Sequence, residues 1–110
     1  MSRERAARIR ELNDAFRTTL QGGRVMMTAA VNALPPETVA AALRRMQTFS
    51  EFTEDNDPYG LHDFGSFELA GETFFWKMDC YDTELQGGSE DPSDPAVTTR
   101  VITLMLATDY

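Results

Sequence analysis

The first rhythm in the chain is helical. Ile9, Leu12, Ala15, Phe16 and Leu20 recur at three- and four-residue intervals, while Arg5, Arg8, Arg10, Glu11, Asp14 and Arg17 occupy the rest of the turn. This spacing predicts an amphipathic helix over residues 3–20, with Ser2 as N-cap and Gly22-Gly23 as its stop. The short apolar segment Arg24–Ala30 then reads as a strand, with a helical continuation as its competitor. A second helix is predicted over residues 36–49. Pro35-Pro36 opens it, Glu37 suits its positive end, Arg44 and Arg45 suit its negative end, and Val39, Leu43, Met46 and Phe49 form its buried stripe.

The rhythm changes to alternation further on. After a polar stretch from Ser50 to Gly65, residues 64–82 read as a β-hairpin turning at Ala70-Gly71-Glu72. On its second strand Phe74, Trp76, Met78 and Cys80 share the core face, and Phe75, Lys77, Asp79 and Tyr81 share a mixed aromatic and charged face. Residues 83–95 are a loop by composition. In residues 96–107 two signals compete. Asp94-Pro95 is a good helix start and Val97, Val101, Leu104 and Met105 fit a helical face, whereas the β-branched content favours a strand. The specific cap outweighs the weak propensity, and a helix is expected. The predicted fold is therefore α+β, a single domain over residues 1–110. Its small antiparallel sheet, one short strand plus the hairpin, packs against two to three α-helices.

Charge divides this fold in two. The 110 residues carry a formal net charge of −8. Residues 1–50 hold eight arginines against four acids, a net of +4, and residues 51–110 hold two bases against fourteen acids, a net of −12. So acidic a chain is not expected to grip nucleic acid directly, because phosphates call for Lys and Arg. Two readings of the split stand side by side: an interaction surface, or an acidic half neutralised by the basic helices. No apolar run is long enough to span a membrane, the start lacks a signal-like apolar region, and Cys80 stands alone. These features lead to the expectation of a cytoplasmic protein without membrane contact, monomeric or homodimeric.

Several stretches carry a resemblance. Ala7–Asp14, Gln21–Val25, Asp55-Asn-Asp-Pro-Tyr-Gly-Leu-His-Asp-Phe-Gly65, Phe75–Asp82 and Asp94–Ala107 together resemble domain-of-unknown-function family 3768, small bacterial proteins seen mostly on plasmids and integrated mobile elements. The resemblance implies a genetic context, with roles in transfer, maintenance or evasion of host defence, and brings no established activity.

Candidate chemistry concentrates in the run Glu54–Asp63. Read as a calcium loop, Asp55, Asp57, Gly60 and Asp63 fall at positions one, three, six and nine, yet Tyr59 and Ser66 occupy positions five and twelve. Without the bidentate glutamate an EF-hand is rejected. A looser divalent-cation site on Asp55, Asp57 and Asp63 competes with a simpler reading, in which Asn56 and Asp57 are turn residues bonded to the local backbone; the simpler reading is preferred. His62-Asp63, with Asp79 or Asp82 nearby, is the one place suited to acid–base work. Cys80 falls on the core face, where a thiol is inert. The Gly pairs lack the Lys-Ser/Thr partner of a phosphate loop, and no Cys/His set suits zinc. No catalytic residue, metal or cofactor is assigned.

The remaining constellation is electrostatic. Alternate strand positions lie about 6.6–7 Å apart, near the spacing of successive phosphates on one strand. Carboxylates so arranged imitate a nucleic-acid backbone, and aromatics among them add anchors. The candidate partner-binding residues are Glu54, Asp55, Asp57, Tyr59, Asp63, Glu68, Phe75, Asp79, Tyr81, Asp82 and Glu84. Together with the mobile-element resemblance, they lead to the expectation of a non-catalytic acidic binding protein. It would block a host nucleic-acid-targeting defence complex, of anti-CRISPR or antirestriction type, at its basic surface. A small enzyme or metal-dependent hydrolase on the His62-Asp63 loop, and a plasmid accessory protein, are the alternatives.

Overall fold

The computed structural model describes residues 1–110 and holds three α-helices and a four-stranded sheet. Helix α1 spans Arg3–Thr19. The Ser2 hydroxyl accepts from the Arg5 N–H at 3.0 Å, as an N-cap should. The helix stops earlier than its glycines suggest, because Leu20 itself turns left-handed (φ 58°) and its N–H bonds the Phe16 carbonyl. Gly23 serves packing instead. A Cβ there would lie 2.6 Å from the Arg100 carbonyl and 2.7 Å from the Phe16 ring, so only glycine lets three segments meet.

Both readings of residues 24–30 hold in part. Strand β1 covers Arg24–Met27, and Thr28 then caps the one-turn helix α2, Ala29–Asn32. Helix α3 follows at Pro36–Gln47 and buries Ala42 and Met46. The hairpin is present as β2, Phe64–Leu69, and β3, Glu72–Tyr81.

The expected helix over residues 96–107 is absent. Asp94 does cap a helical start, accepting from Ala96 N–H at 2.9 Å, but only the 3₁₀ turn Pro95–Val97 results. Strand β4 then runs Thr99–Leu106 in the middle of the sheet. Its β-branched residues and its two hydrogen-bonded neighbours outweigh one cap, since a cap fixes where a helix begins and not how far it runs. The sheet order is β1-β4-β3-β2. β4 pairs antiparallel with β3 and parallel with β1, so the sheet is mixed rather than antiparallel throughout, within the α+β class.

One face of this sheet packs on the helices. Phe74, Trp76 and Met78 of β3, with Ile102, Leu104 and Leu106 of β4, meet Phe16, Val31, Ala42 and Met46 there. Each large side chain so buried contributes about 1.5–3 kcal/mol. Gly65 faces Trp76 across the β2–β3 pair, and a Cβ at Gly65 would lie 2.3 Å from the indole nitrogen. The opposite face carries no helix. On it Phe64, Phe75 and the C-terminal Tyr110 form a cluster with ring centroids 5.3–6.1 Å apart.

Candidate functional site

Two buried polar knots tie the acid-rich loops to α1. In the first, Arg17 does not decorate the helix surface as its charge suggests: its side chain is 4% exposed. Nη1 donates to the carbonyls of Met46, Gln47 and Phe49 at 3.0–3.2 Å, closing the C-terminal end of α3. Nη2 reaches Asp14 at 3.1 Å, and the guanidinium lies 5.0 Å from the Trp76 ring and 5.5 Å from Phe52.

His62 joins this knot. Its Nδ1 lies 2.9 Å from Asp14, and because a carboxylate only accepts, Nδ1 bears the proton. The ring stacks on Phe52 with centroids 3.8 Å apart and planes within 4°. Its other nitrogen faces Asp57 at 3.6 Å, too far for a hydrogen bond. No hydroxyl or thiol is bonded to the imidazole, and His62 lines none of the five cavities. The geometry uses His62 to anchor a loop, in place of the convergent pocket that acid–base catalysis needs.

Asp57 and Asn56 behave as turn residues. Asp57 Oδ1 accepts from the N–H groups of Leu61 and His62, leaving its side chain 6% exposed, and Asn56 closes on Thr53 and Glu51. No three His, Cys, Asp or Glu side chains come close enough to hold a metal ion, so Asp55, Asp57 and Asp63 do not converge on a common point.

The second knot centres on Asn13 and Arg100. Asn13 is buried and donates to the Leu61 carbonyl at 2.9 Å, while its Oδ1 accepts from Arg100 Nε at 2.7 Å and faces Cys80 Sγ at 3.9 Å. Arg100 Nη2 donates to the Pro92 carbonyl. Burial pushes the Cys80 thiol up from its ordinary value. Asp63 lines a small cavity beside Cys80 and Asn13. Its carboxyl is held above the usual range by burial first, then by the nearby Asp57 and Asp79.

The other candidate residues scatter over three places. Glu54, Asp55 and Tyr59 stand exposed in the loop before β2, with Tyr59 76% exposed. Glu68, Phe75, Asp79 and Tyr81 lie on the helix-free face of the sheet, where Phe75 sits in the aromatic cluster and Asp79 pairs with Lys77 at 3.1 Å. Asp82 folds its own turn by accepting from Glu84 and Gln86 N–H groups, and Glu84 projects into solvent. Internal neutralisation is slight. Of the fourteen acids beyond residue 50, Asp57 faces His62, Asp79 pairs with Lys77 and Asp91 with Arg5, and the other eleven have no cationic partner within 4.0 Å.

Sequence reasoning missed Asn13, Asp14, Arg17, Phe52 and Arg100. Asn13 had a signal, for it stands between Ile9 and Phe16 on the apolar stripe of α1. Arg100 had one only in the strand reading, where it alternates inward with Ile102 and Leu104.

Searches of curated proteins and of solved structures each returned no match. A family model described as "Protein of unknown function (DUF3768)" matches residues 27–109, from the end of β1 almost to the C-terminus, with α1 outside the matched stretch. With that match covering well over half its length, the chain belongs to this family.

Proposed function

We propose that the protein is an acidic binding protein that docks on a basic surface of a nucleic-acid-handling complex. The observation that carries this reading is the set of eleven carboxylates beyond residue 50 without a cationic partner. Unpaired like charge destabilises a small fold through self-repulsion, so its retention favours use as a steering surface. The basic half does not cancel it. Arg17 is buried against carbonyls, Arg10 donates to the Gly60 carbonyl, and Arg8 pairs with Glu11 on its own helix. Aromatic side chains accompany the acids: Tyr59 in the loop, and Phe75 and Tyr81 beside Asp79. The mobile-element context implied by the family resemblance makes a host defence complex, of CRISPR or restriction type, the partner class for this reading. Asp57 leaves the set of partner-binding residues, because its carboxylate is committed to the Leu61 and His62 backbone.

Binding to a purified effector at rising salt tests the proposal. Affinity is expected to fall steeply as ionic strength rises, and the effector to lose its grip on target DNA when the protein is present. Charge reversal of the exposed Glu54, Asp55 and Glu84 to Lys is expected to weaken binding at least about tenfold, chiefly through the association rate. Affinity indifferent to salt and to these reversals sinks the proposal.

A further inference from the structure

We propose that the groove between α1 and the start of β4 binds a small organic carboxylate with an apolar body, its charge held by Arg100. Arg100 is 5% exposed and has no carboxylate within 4.0 Å. A buried guanidinium ordinarily has an anion beside it, since desolvating an unmatched charge is costly. Its two bonded nitrogens, Nε and Nη2, reach neutral oxygens of Asn13 and Pro92, and Nη1 has no protein acceptor. That nitrogen is not sealed in either, for the buried polar atoms lacking partners are Arg17 Nε and Trp76 Nε1.

The one cavity that Arg100 lines is this groove, of about 310 Å³. Its size lies at the lower end of small-molecule sites. Leu12, Phe16 and Pro95 supply apolar wall, and Thr19, Gln21 and Thr98 supply polar groups. Arg100 brings a positive charge to the groove although the chain carries a net −8. The charged arginine that bears on Arg100 is Arg8, and Asp94, next to Pro95 of the groove wall, spends its Oδ1 on the Ala96 N–H. Arg100 is the one charged residue of the lining, and a single cation among apolar walls suits a monocarboxylate better than phosphate, whose further charge would find no partner there. The proposal does not depend on the docking reading above.

Titration calorimetry with sodium benzoate and sodium hexanoate tests it, with benzamide as the neutral isostere and sodium sulfate at matched ionic strength. Saturable binding of both acids is expected, with benzamide and sulfate each weaker by at least about tenfold. Arg100→Gln is expected to weaken benzoate by at least about tenfold. Ala15 is an exposed helix residue on the groove wall, so Ala15→Trp fills the groove and leaves Arg100 in place. This variant is expected to melt like the parent and to lose benzoate equally. No saturable binding below about 10 mM, equal affinity for benzamide, or full binding by Ala15→Trp overturns the proposal. Should Arg100→Gln fail to fold, the Ala15→Trp result decides alone.

Discussion

Arg17 and Arg100 are both buried arginines on the helix-packed side of the sheet, and they are satisfied very differently. Arg17 has three backbone carbonyls, the Asp14 carboxylate and two aromatic faces around it. Arg100 has two neutral oxygens and no anion; each arginine leaves one nitrogen unbonded, Nε of Arg17 sealed in the interior and Nη1 of Arg100 not sealed. The first arrangement consumes a charge to close the end of α3 and fix the loop after it. The second leaves a charge underused beside a groove. Burial of an arginine therefore does not by itself signal structure or function; the number and charge of its acceptors separates the two.

Stability should rank them in the same order. Arg17→Leu removes the donor from carbonyls that stay buried and strips Asp14 of its cation, a loss of about 3–5 kcal/mol. Arg100→Leu breaks two bonds to neutral acceptors, one on a loop, and is expected to cost about 1–2 kcal/mol. Urea unfolding of the two variants reads the difference directly. An equal or reversed order would mean that the acceptors around Arg17 can turn to water, and the contrast between the two residues would collapse.

Asn13 sharpens the comparison, because it touches both regions. Its amide nitrogen holds the Leu61 carbonyl on the loop anchored by His62, and its amide oxygen holds Arg100. Asn13→Leu, of similar volume, removes both bonds and leaves the Leu61 carbonyl without its donor. The expected loss is about 2 kcal/mol. In a double-mutant cycle, Asn13→Leu and Arg100→Leu should couple by more than about 0.5 kcal/mol, since they share a bond. Additive losses would show that the 2.7 Å contact contributes nothing to the fold.

How much of this was legible in the chain follows from the same residues. Apolar spacing located α1, α3 and the β3 core face, because burial of Phe16, Met46, Phe74 and Trp76 drives those elements and leaves its period in the sequence. Residues 96–107 were misread because the Asp94 cap was ranked above the β-branched composition, and the pairing with β1 and β3 that decides between those two local signals is non-local. The same error hid Arg100. Arg17 was hidden for another reason: its acceptors are carbonyls of Met46, Gln47 and Phe49, and backbone acceptors have no sequence signature. The pairing of His62 with Asp14 spans 48 positions and was equally out of reach, although the turn chemistry of Asn56-Asp57 was readable from residue type.

The smallest expected effect concerns the carboxylate that neither knot neutralises. Asp63 precedes β2, close to Asp57 on one side and Asp79 on the other, and its carboxyl is held above its ordinary value of 3.8 chiefly by burial. A raised pKa means that the folded state binds the proton more tightly than the unfolded chain does, so the ionised group works against folding above that pKa. Asp63→Asn keeps the shape and removes the charge. At neutral pH it is expected to stabilise the protein by less than about 1 kcal/mol, since the site is partly open to solvent. As the pH falls through the raised folded value, the parent protein gains its own proton and the advantage shrinks. Below the ordinary 3.8 both states of the parent are protonated and the two proteins should melt together. Melting curves for both proteins between neutral and acid pH test this. A destabilised Asp63→Asn at neutral pH would show that Asp63 has found a cation or a donor, and that the acidic half is better neutralised than its unpaired carboxylates imply.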